Sequence, residues 1–493
     1  MAPPDSLLHL THMLDNIERI RRWTEGLTIE AYRANPMLRD AVERCLERIS
    51  EASRRLPEEA KASQPQIPWR KVADIGNVLR HEYDDVADTE VWRIVVDDLR
   101  ALRDAVSSDD QRAMTAPSPW RSLLPVFAAC AAIGLQAGVA MPLVPLALER
   151  QGVDKFTIGI VAAGWGLGML ATASHIPRLA ARFGTVPFIL ASVVAGSALT
   201  VAYTLTSGPV AWFVLTLLHG AVGGVPWVVS EIWMNVVVEE SRRGRVMGIY
   251  ATMVALGMAL GPFVLQVVGV YGPAPFLTSA ALALLVALPL LPYWKKAPAI
   301  EHAADSGYMA VVVAVPLAML AAFACGLGEQ VAFSFLPVYA VGAGVSAELG
   351  ALWLSAFVIG NVILQWPIGW MADHLDRRAV LAGCTLASAV LVALLPLVSA
   401  QSPAIIGVIM LWGGISFAIY PVGLALLGQH FNGGDIARAN TAFSMLYILG
   451  GLTGRPLAGA AMDAVGDPGL GWTVAVFYAA AGIAALLAFH RRG

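Results

Sequence analysis

Apolar residues follow two different rhythms along this chain. Up to about residue 106 they are spaced for helices that bury one face. Val91, Ile94, Val95, Leu99, Leu102 and Val106 form the clearest stripe, with Asp88 or Thr89 placed to cap its start. Similar periodicity predicts helices over 6–22, roughly 28–55 and 68–82, punctuated by Gly26, Pro65 and Pro68. Such helices make a small bundle. From about residue 120 the polar faces disappear. Apolar stretches long enough to cross a bilayer lie near 123–148, 157–177, 185–206, 210–237, 246–270, 275–293, 310–339, 348–371, 379–399, 403–429, 439–462 and 471–489. The predicted fold class is all-α: a polytopic membrane protein with twelve transmembrane helices, preceded by a soluble helical bundle.

Composition sharpens this division. The 493 residues are 57% hydrophobic and 14% charged, against about a quarter charged for a soluble protein. Residues 1–118 hold 17 of the 33 basic and 22 of the 36 acidic residues. The bundle is therefore acidic and supplies no electrostatic footprint for nucleic acid. The opening residues are mixed and polar, unlike a secretory signal. Cys45, Cys130, Cys325 and Cys384 are scattered, so no disulfide, metal site or cofactor is expected. No Gly-x-x-x-x-Gly-Lys loop is present, which argues against an ATP-driven pump.

The loops set the orientation. Those after odd-numbered spans hold Arg150 and Lys155. Those after even-numbered spans hold Arg178, Arg182, Arg242, Arg243, Arg245, Lys295, Lys296, Arg377, Arg378 and Arg438. The positive-inside rule then places both termini in the cytoplasm of a bacterial-type inner membrane. The expected layout is a bundle over 1–106, a linker over 107–119, six spans over 120–294, a cytoplasmic linker over 295–308 and six spans over 309–493. Met114 would also make a natural start for a stand-alone membrane protein.

The two sets of six echo each other. Arg245 is followed by Gly257, Gly261 and Pro262; at the same spacing Arg438 is followed by Gly450, Gly454 and then Arg455-Pro456. Small residues four apart let helices approach closely, and a parallel repeat of this kind marks transporter halves. The second half also carries Gln365-Trp-Pro-Ile-Gly-Trp-Met-Ala-Asp-His-Leu-Asp-Arg-Arg378. In it Gly369, Asp373, Arg377 and Arg378 resemble the loop signature of the major facilitator superfamily, with Asp376 where that signature has glycine. The first-half counterpart over 177–184 keeps Arg178 and Arg182 but lacks the acid. With Glu231-Ile-Trp-Met-Asn235, Gly328-Glu329 and Leu336-Pro-Val-Tyr339, residues 120–490 resemble the YcaD-like branch. The resemblance implies alternating access between two six-helix halves, a small-molecule substrate and a cytoplasmic gate at the loop signatures. Gly257-Met-Ala-Leu-Gly261-Pro262 partly resembles an exporter signature without its later glycine, a weak tilt toward export.

The bundle has its own resemblance. Gly76-Asn-Val-Leu-Arg-His-Glu-Tyr83, with Trp92-Arg-Ile-Val-Val-Asp-Asp-Leu99 after it, is similar to the HepT-like (HEPN superfamily) toxins over about 5–106. Those act as ribonucleases through an arginine, four to six residues, a histidine, and often a tyrosine two further on. His81 and Tyr83 match; Gly76 stands where the arginine belongs, and Arg80 and Arg70 have the wrong spacing. RNA cleavage needs a cation near the developing phosphorane charge. A dimerisation or partner-binding module is therefore the expectation, with ribonuclease activity as the alternative.

Ionisable side chains inside spans are costly and mark pathways or pairs. Glu231, on a stripe with His219, Gly223, Trp227 and Asn235, can be a protonatable group on the transport path or a gate partner of Arg178, Arg182 or Arg243. Glu329, deep in the seventh span beside Gly326, Gly328 and Gln330, is the favoured coupling residue. Arg455, in the eleventh span, can bind an anionic substrate or neutralise Glu329. Gln136, Gln266, Asn361 and Gln365 read mostly as interhelical hydrogen bonds. Trp165, Trp227 and Trp233 can line a cavity, and Trp366 and Trp370 anchor at the interface. The function expected is a proton-coupled secondary transporter. The rivals are a toxin-like or partner-binding module tethered to a transporter-derived scaffold, and a scaffold that senses rather than transports.

Overall fold

The computed structural model describes residues 4–56, 61–62, 67–81, 86–104, 106, 119–237, 240–285, 288–294, 314–431 and 434–490. Those residues are helical or lie in turns, and they divide into two compact units, 1–122 and 123–493.

The first unit contains α1 (Pro4–Thr24), α2 (Ile29–Arg33), α3 (Pro36–Arg54), α4 (Trp69–His81) and α5 (Val86–Arg93), the last running on through a wide π turn at Ile94–Asp98. The single helix expected over 28–55 is interrupted at residues 34–35. Asn35 is extended and its side chain accepts from Leu38 N at 3.2 Å, while Pro36 opens α3. Proline suits a first helical position and breaks an interior one, so two helices form. The cap expected at Asp88 or Thr89 is also corrected, because α5 begins earlier, at Val86. Buried Asp88 instead pairs with Arg39 at 2.8 Å, and Thr89 accepts from Arg33 at 2.5 Å. Met13, Ile17 and Ile20 of α1 close on Val42, Leu46 and Ile49 of α3, with Tyr32, Val91, Leu99 and Leu102 completing the core.

The second unit holds the long apolar helices. In the first half these are α6 (Pro119–Arg150), α7 (Lys155–Ala173), the short α8 (Ile176–Phe183), α9 (Thr185–Ala202), α10 (Pro209–Val237), α11 (Glu240–Val268) and α12 (Pro273–Leu285). The second half contains α13 (Pro316–Gly342), α14 (Ala347–His374), α15 (Arg377–Leu394), α16 (Ala404–Leu427), α17 (Gly434–Val465) and α18 (Pro468–His490). Gly184, at φ 88°, makes the turn from α8 into α9 that a side chain would resist. Among the described residues, eleven helices are long and apolar enough to cross a membrane. The remaining predicted span is α17, 32 residues long, whose apolar character is diluted by Arg455 and the glycines around it.

Among those eleven helices the most enclosed is α13, with 83% of its apolar stretch buried. It packs against α14, α16, α17 and α18 at once. The halves meet along two seams, α7 against α17 and α11 against α14. Matching glycines make the corresponding close approaches within each half. A Cβ on Gly257 or Gly261 would overlap α6 backbone at Ala131 or Gly138, and one on Gly450 would overlap the Phe323 carbonyl of α13. At Gly454 the obstacle is the side chain of Leu327.

Candidate functional site

Glu329 lies in the middle of α13 and is 3% exposed. Gly326 lets α13 lie against the Tyr447 backbone of α17, and Gly328 leaves room for the hydroxyl of Tyr478 on α18. Those two approaches bring polar groups from different helices onto the carboxyl. Its Oε1 accepts from Cys325 Sγ at 2.9 Å, and its Oε2 accepts from Tyr447 OH at 2.7 Å. The Tyr478 hydroxyl bonds Ser416 on α16 rather than the carboxyl. A buried carboxylate is tolerable only when hydrogen-bonded, and here both oxygens are.

Arg455 does not neutralise Glu329. Among the described residues no ion pair joins them, which corrects one expectation for this arginine. The connection runs through two neutral side chains. Arg455 Nη2 donates to Gln330 Oε1, and Gln330 Nε2 donates to Tyr447 OH at 3.2 Å. The other two guanidinium nitrogens donate as well. Nε reaches Ser334 Oγ at 3.1 Å and the Gln330 carbonyl at 3.4 Å, and Nη1 reaches the Ala162 carbonyl of α7 at 3.0 Å. Arg455 is 6% exposed, and each of its three nitrogens donates to a neutral oxygen of the protein. Its physical role here is to fasten α17 to α13 and, across the seam, to α7.

That seam is tied again toward the odd-numbered loops. Asp463 near the end of α17 accepts from the first two N–H groups of α7, Lys155 at 2.9 Å and Phe156 at 2.8 Å. Those donors have no partner inside their own helix. Gly459 and Gly159 let the two backbones touch, at Lys155 and at Arg455. On the other seam, Gln266 of α11 donates to the Glu348 carbonyl of α14. These hydrogen bonds between the two halves lie in the part of the bundle nearest the odd-numbered loops.

The other predicted residues fall elsewhere. Asp373 is exposed beside a small polar pocket formed with Asp376, Arg377, Arg378 and Gln429. Arg377 donates to the Ala425 carbonyl at 2.6 Å, and Asp376 caps α15 by accepting from Arg378 N at 2.7 Å. That cap gives a physical reason for an acid where the signature has glycine. A Cβ at Gly369 would meet nothing within 4 Å. Arg178 and Arg182 lie on exposed positions of α8, and Arg182 sits over the Phe183 ring at 5.5 Å. Trp366 and Trp370 are exposed, and Trp370 stacks on His374. Gln136 donates to Ser279 at 3.3 Å, an interhelical bond as expected. The side chains of Glu231, Asn235, Arg243, Arg80 and His81, and the whole of Tyr83, lie outside the described residues. Sequence reasoning missed Cys325, Ser334, Tyr447 and Asp463. Tyr447 carried a faint signal, a hydroxyl three residues before Gly450 on the same helix.

Residues 126–346 and 318–492 match the family described as Major Facilitator Superfamily. The chain belongs to this superfamily. The superfamily's membership accounts for the two seams and for the pairing of α6 with α11 and α13 with α17 as repeats of one design. Residues 13–108 match the family described as Ribonuclease HepT-like. Among curated relatives, the uncharacterized MFS-type transporter YfkF of Bacillus subtilis is 27% identical over 258 residues, covering 50% of this chain and 65% of that one. The uncharacterized MFS-type transporter YcaD of Escherichia coli is 24% identical over 345 residues, covering 68% of this chain and 87% of its own. Among solved structures, the nucleoside transporter NupG superposes with a TM-score of 0.61 at 13% identity, over 74% of this chain and 98% of that one. A bacterial homologue of the lysosomal transporter Spinster, inward-facing and occupied, gives 0.58 at 14% identity, over 76% and 94%. At these identities the superpositions speak for the fold.

Proposed function

We propose that this superfamily member is a proton-coupled secondary transporter of a small solute, with Glu329 as the group that takes up and releases the proton. The observation that carries the reading is a carboxyl, 3% exposed in the most enclosed helix, whose hydrogen-bond partners are a thiol and a phenol rather than a cation. Such a group changes charge at low cost compared with one locked in an ion pair. The excess of Lys and Arg in the even-numbered loops supports an orientation with the odd-numbered loops outside, in which the clasped seams lie toward the outer side. Export is the favoured direction of net movement.

The test is transport by purified protein in liposomes containing a pH-sensitive dye, screened against small solutes. Glu329→Gln is expected to abolish solute-driven proton movement while solute exchange persists. Retention of proton movement in that variant would remove Glu329 from the mechanism. For the first unit we infer a partner-binding or dimerisation role, since Gly76 replaces the arginine that HepT-like cleavage uses. RNA cleavage by the purified chain, lost on His81→Ala, would overturn that inference.

A further inference from the structure

The hydrogen-bond chain from Arg455 to Glu329 has a forced direction. A guanidinium only donates, so the Gln330 atom facing Arg455 must be its oxygen. The Gln330 nitrogen then faces Tyr447 OH and donates to it. The Tyr447 proton is left to point at Glu329 Oε2, which accepts. Every donor in the chain points toward the carboxyl. The same guanidinium holds the Ala162 carbonyl across the seam between the halves.

We propose that this chain is a directional relay that converts a proton on Glu329 into release of the α7–α17 seam, with Gln330 as the positioning residue. The proposal rests on the reading of Glu329 as the coupling group. When Glu329 Oε2 takes a proton it becomes a donor toward Tyr447, and two donors now face each other. Tyr447 turns its own proton toward Gln330. The Gln330 amide must flip to offer its oxygen, which presents its NH2 to Arg455. Donor then opposes donor beside a fixed cation, and the guanidinium loses one of its acceptors. Its grip on Gln330 and on Ala162 loosens together, because one rigid planar group makes both contacts. Losing the proton restores the original direction and the clasp.

The titratable groups facing the carboxyl are Cys325 on its own helix, Tyr447 on α17 and Tyr478 on α18; the nearest cation in the chain is Arg455, two hydrogen bonds beyond Tyr447. A proton on Oε1 would leave the relay unturned, with Cys325 redirecting its own proton to the Ser416 carbonyl at 3.6 Å. A thiol is a poor acceptor and a phenol a good one, so Oε2 is the preferred position.

The experiment uses the full chain in lipid nanodiscs, spin-labelled at Val210→Cys and Leu397→Cys. Both positions are 78% exposed, at the odd-loop ends of the two halves, and the four native cysteines are buried. In the parent, lowering the pH from about 8 to about 5 is expected to raise the open-to-clasped ratio about tenfold. Glu329→Gln places a permanent donor on the relay and is expected to show the parent's low-pH ratio at every pH. Tyr447→Phe cuts the relay but leaves the Gln330 oxygen on Arg455, and it is expected to stay clasped at every pH; Gln330→Met removes that acceptor and is expected to be open at every pH. A pH response that Glu329→Gln removes but Tyr447→Phe and Gln330→Met keep overturns the relay and leaves the coupling group standing. A parent with no pH response overturns both. Tyr447→Phe deletes one oxygen, so it serves as the deciding variant if Gln330→Met does not fold.

Discussion

Replacing Asp463 by asparagine should weaken the clasp between the halves without weakening either half. The carboxylate lies at the end of α17, exposed, and each of its oxygens takes one N–H from the first turn of α7, at 2.9 and 2.8 Å. Helix N-termini favour negative charge because those N–H groups are unpaired and aligned. Asparagine keeps one neutral oxygen and turns an NH2 against the second N–H. One bond is lost and the other loses its charge. Hydrogen bonds to a charged group contribute about 1.5–3 kcal/mol when shielded; water reaches this site, so about 1 kcal/mol is a fair figure. Since the contact exists only when the halves are clasped, that energy appears as about a fivefold rise in the open-to-clasped ratio. Distances between labels at positions 210 and 397 report that ratio directly. Asp154 is the internal control. It caps the same helix from the same half, accepting from Thr157 N at 2.8 Å. Asp154→Asn should lower the melting temperature and leave the ratio alone. An unchanged or more clasped population in Asp463→Asn, or an equal shift in Asp154→Asn, would refute the reasoning.

Two further perturbations test packing and titration. Gly450→Ala drives a methyl into the Phe323 carbonyl and should cost at least about 2 kcal/mol, seen as loss of folded protein on gel filtration. Gly369→Ala meets open space and should change thermal stability by no more than about 1 kcal/mol, in the stabilising direction. In the first unit, desolvation raises the Glu43 carboxyl above its ordinary value, and Asp40 and Asp88 nearby add to the shift. The folded state therefore holds that proton more tightly than the unfolded one, so stability falls as pH rises from the unfolded value toward the folded one. Glu43→Gln should raise the melting temperature of the first unit at neutral pH, and the gain should vanish below about pH 4; a gain that persists there would point to packing rather than charge.

Much of the membrane unit was legible because hydrocarbon enforces a simple rule. A helix that crosses it must be long and apolar, and that rule is written locally. It blurs only at α17, where Arg455 interrupts the apolar run. The first unit obeys a looser rule, and its local signals competed. Pro36 outweighed the periodicity across 28–55, and the polar residues suited to capping at 88–89 were drawn into contacts with Arg33 and Arg39. Glu329 and Arg455 stood out because charge inside a span is conspicuous. Their partners did not, since a tyrosine, a serine or a cysteine in a span looks ordinary until the register of two helices is known. Tyr447 lies 118 positions from Glu329. What brings them together is the fit of Gly326 against the backbone of α17, and no one-dimensional pattern states which turn of one helix meets which turn of another. Asp463 looked like a loop residue for the same reason: its partner is backbone, which sequence does not distinguish.

The two meanings that sequence allowed for Arg455, anion binding and charge compensation, assume that an arginine in a span must meet a negative charge. The structure meets it with neutral oxygens instead: two carbonyls, a hydroxyl and an amide. That choice has a consequence for transport. A salt bridge at this point would hold the seam at a cost too large to be broken and remade in each cycle, since separating a buried pair leaves a bare charge. A cation held by dipoles keeps its solvation in either conformation, provided something replaces the Ala162 carbonyl when α7 moves away. Water entering the opened seam can do so, and so can an oxygen acceptor on a solute. On the proposed reading, an acceptor that took the place of the Ala162 carbonyl on Arg455 would compete with re-formation of the clasp. A solute that bound there would hold the seam open until it left, which is the order of events for release on the side that the seam closes.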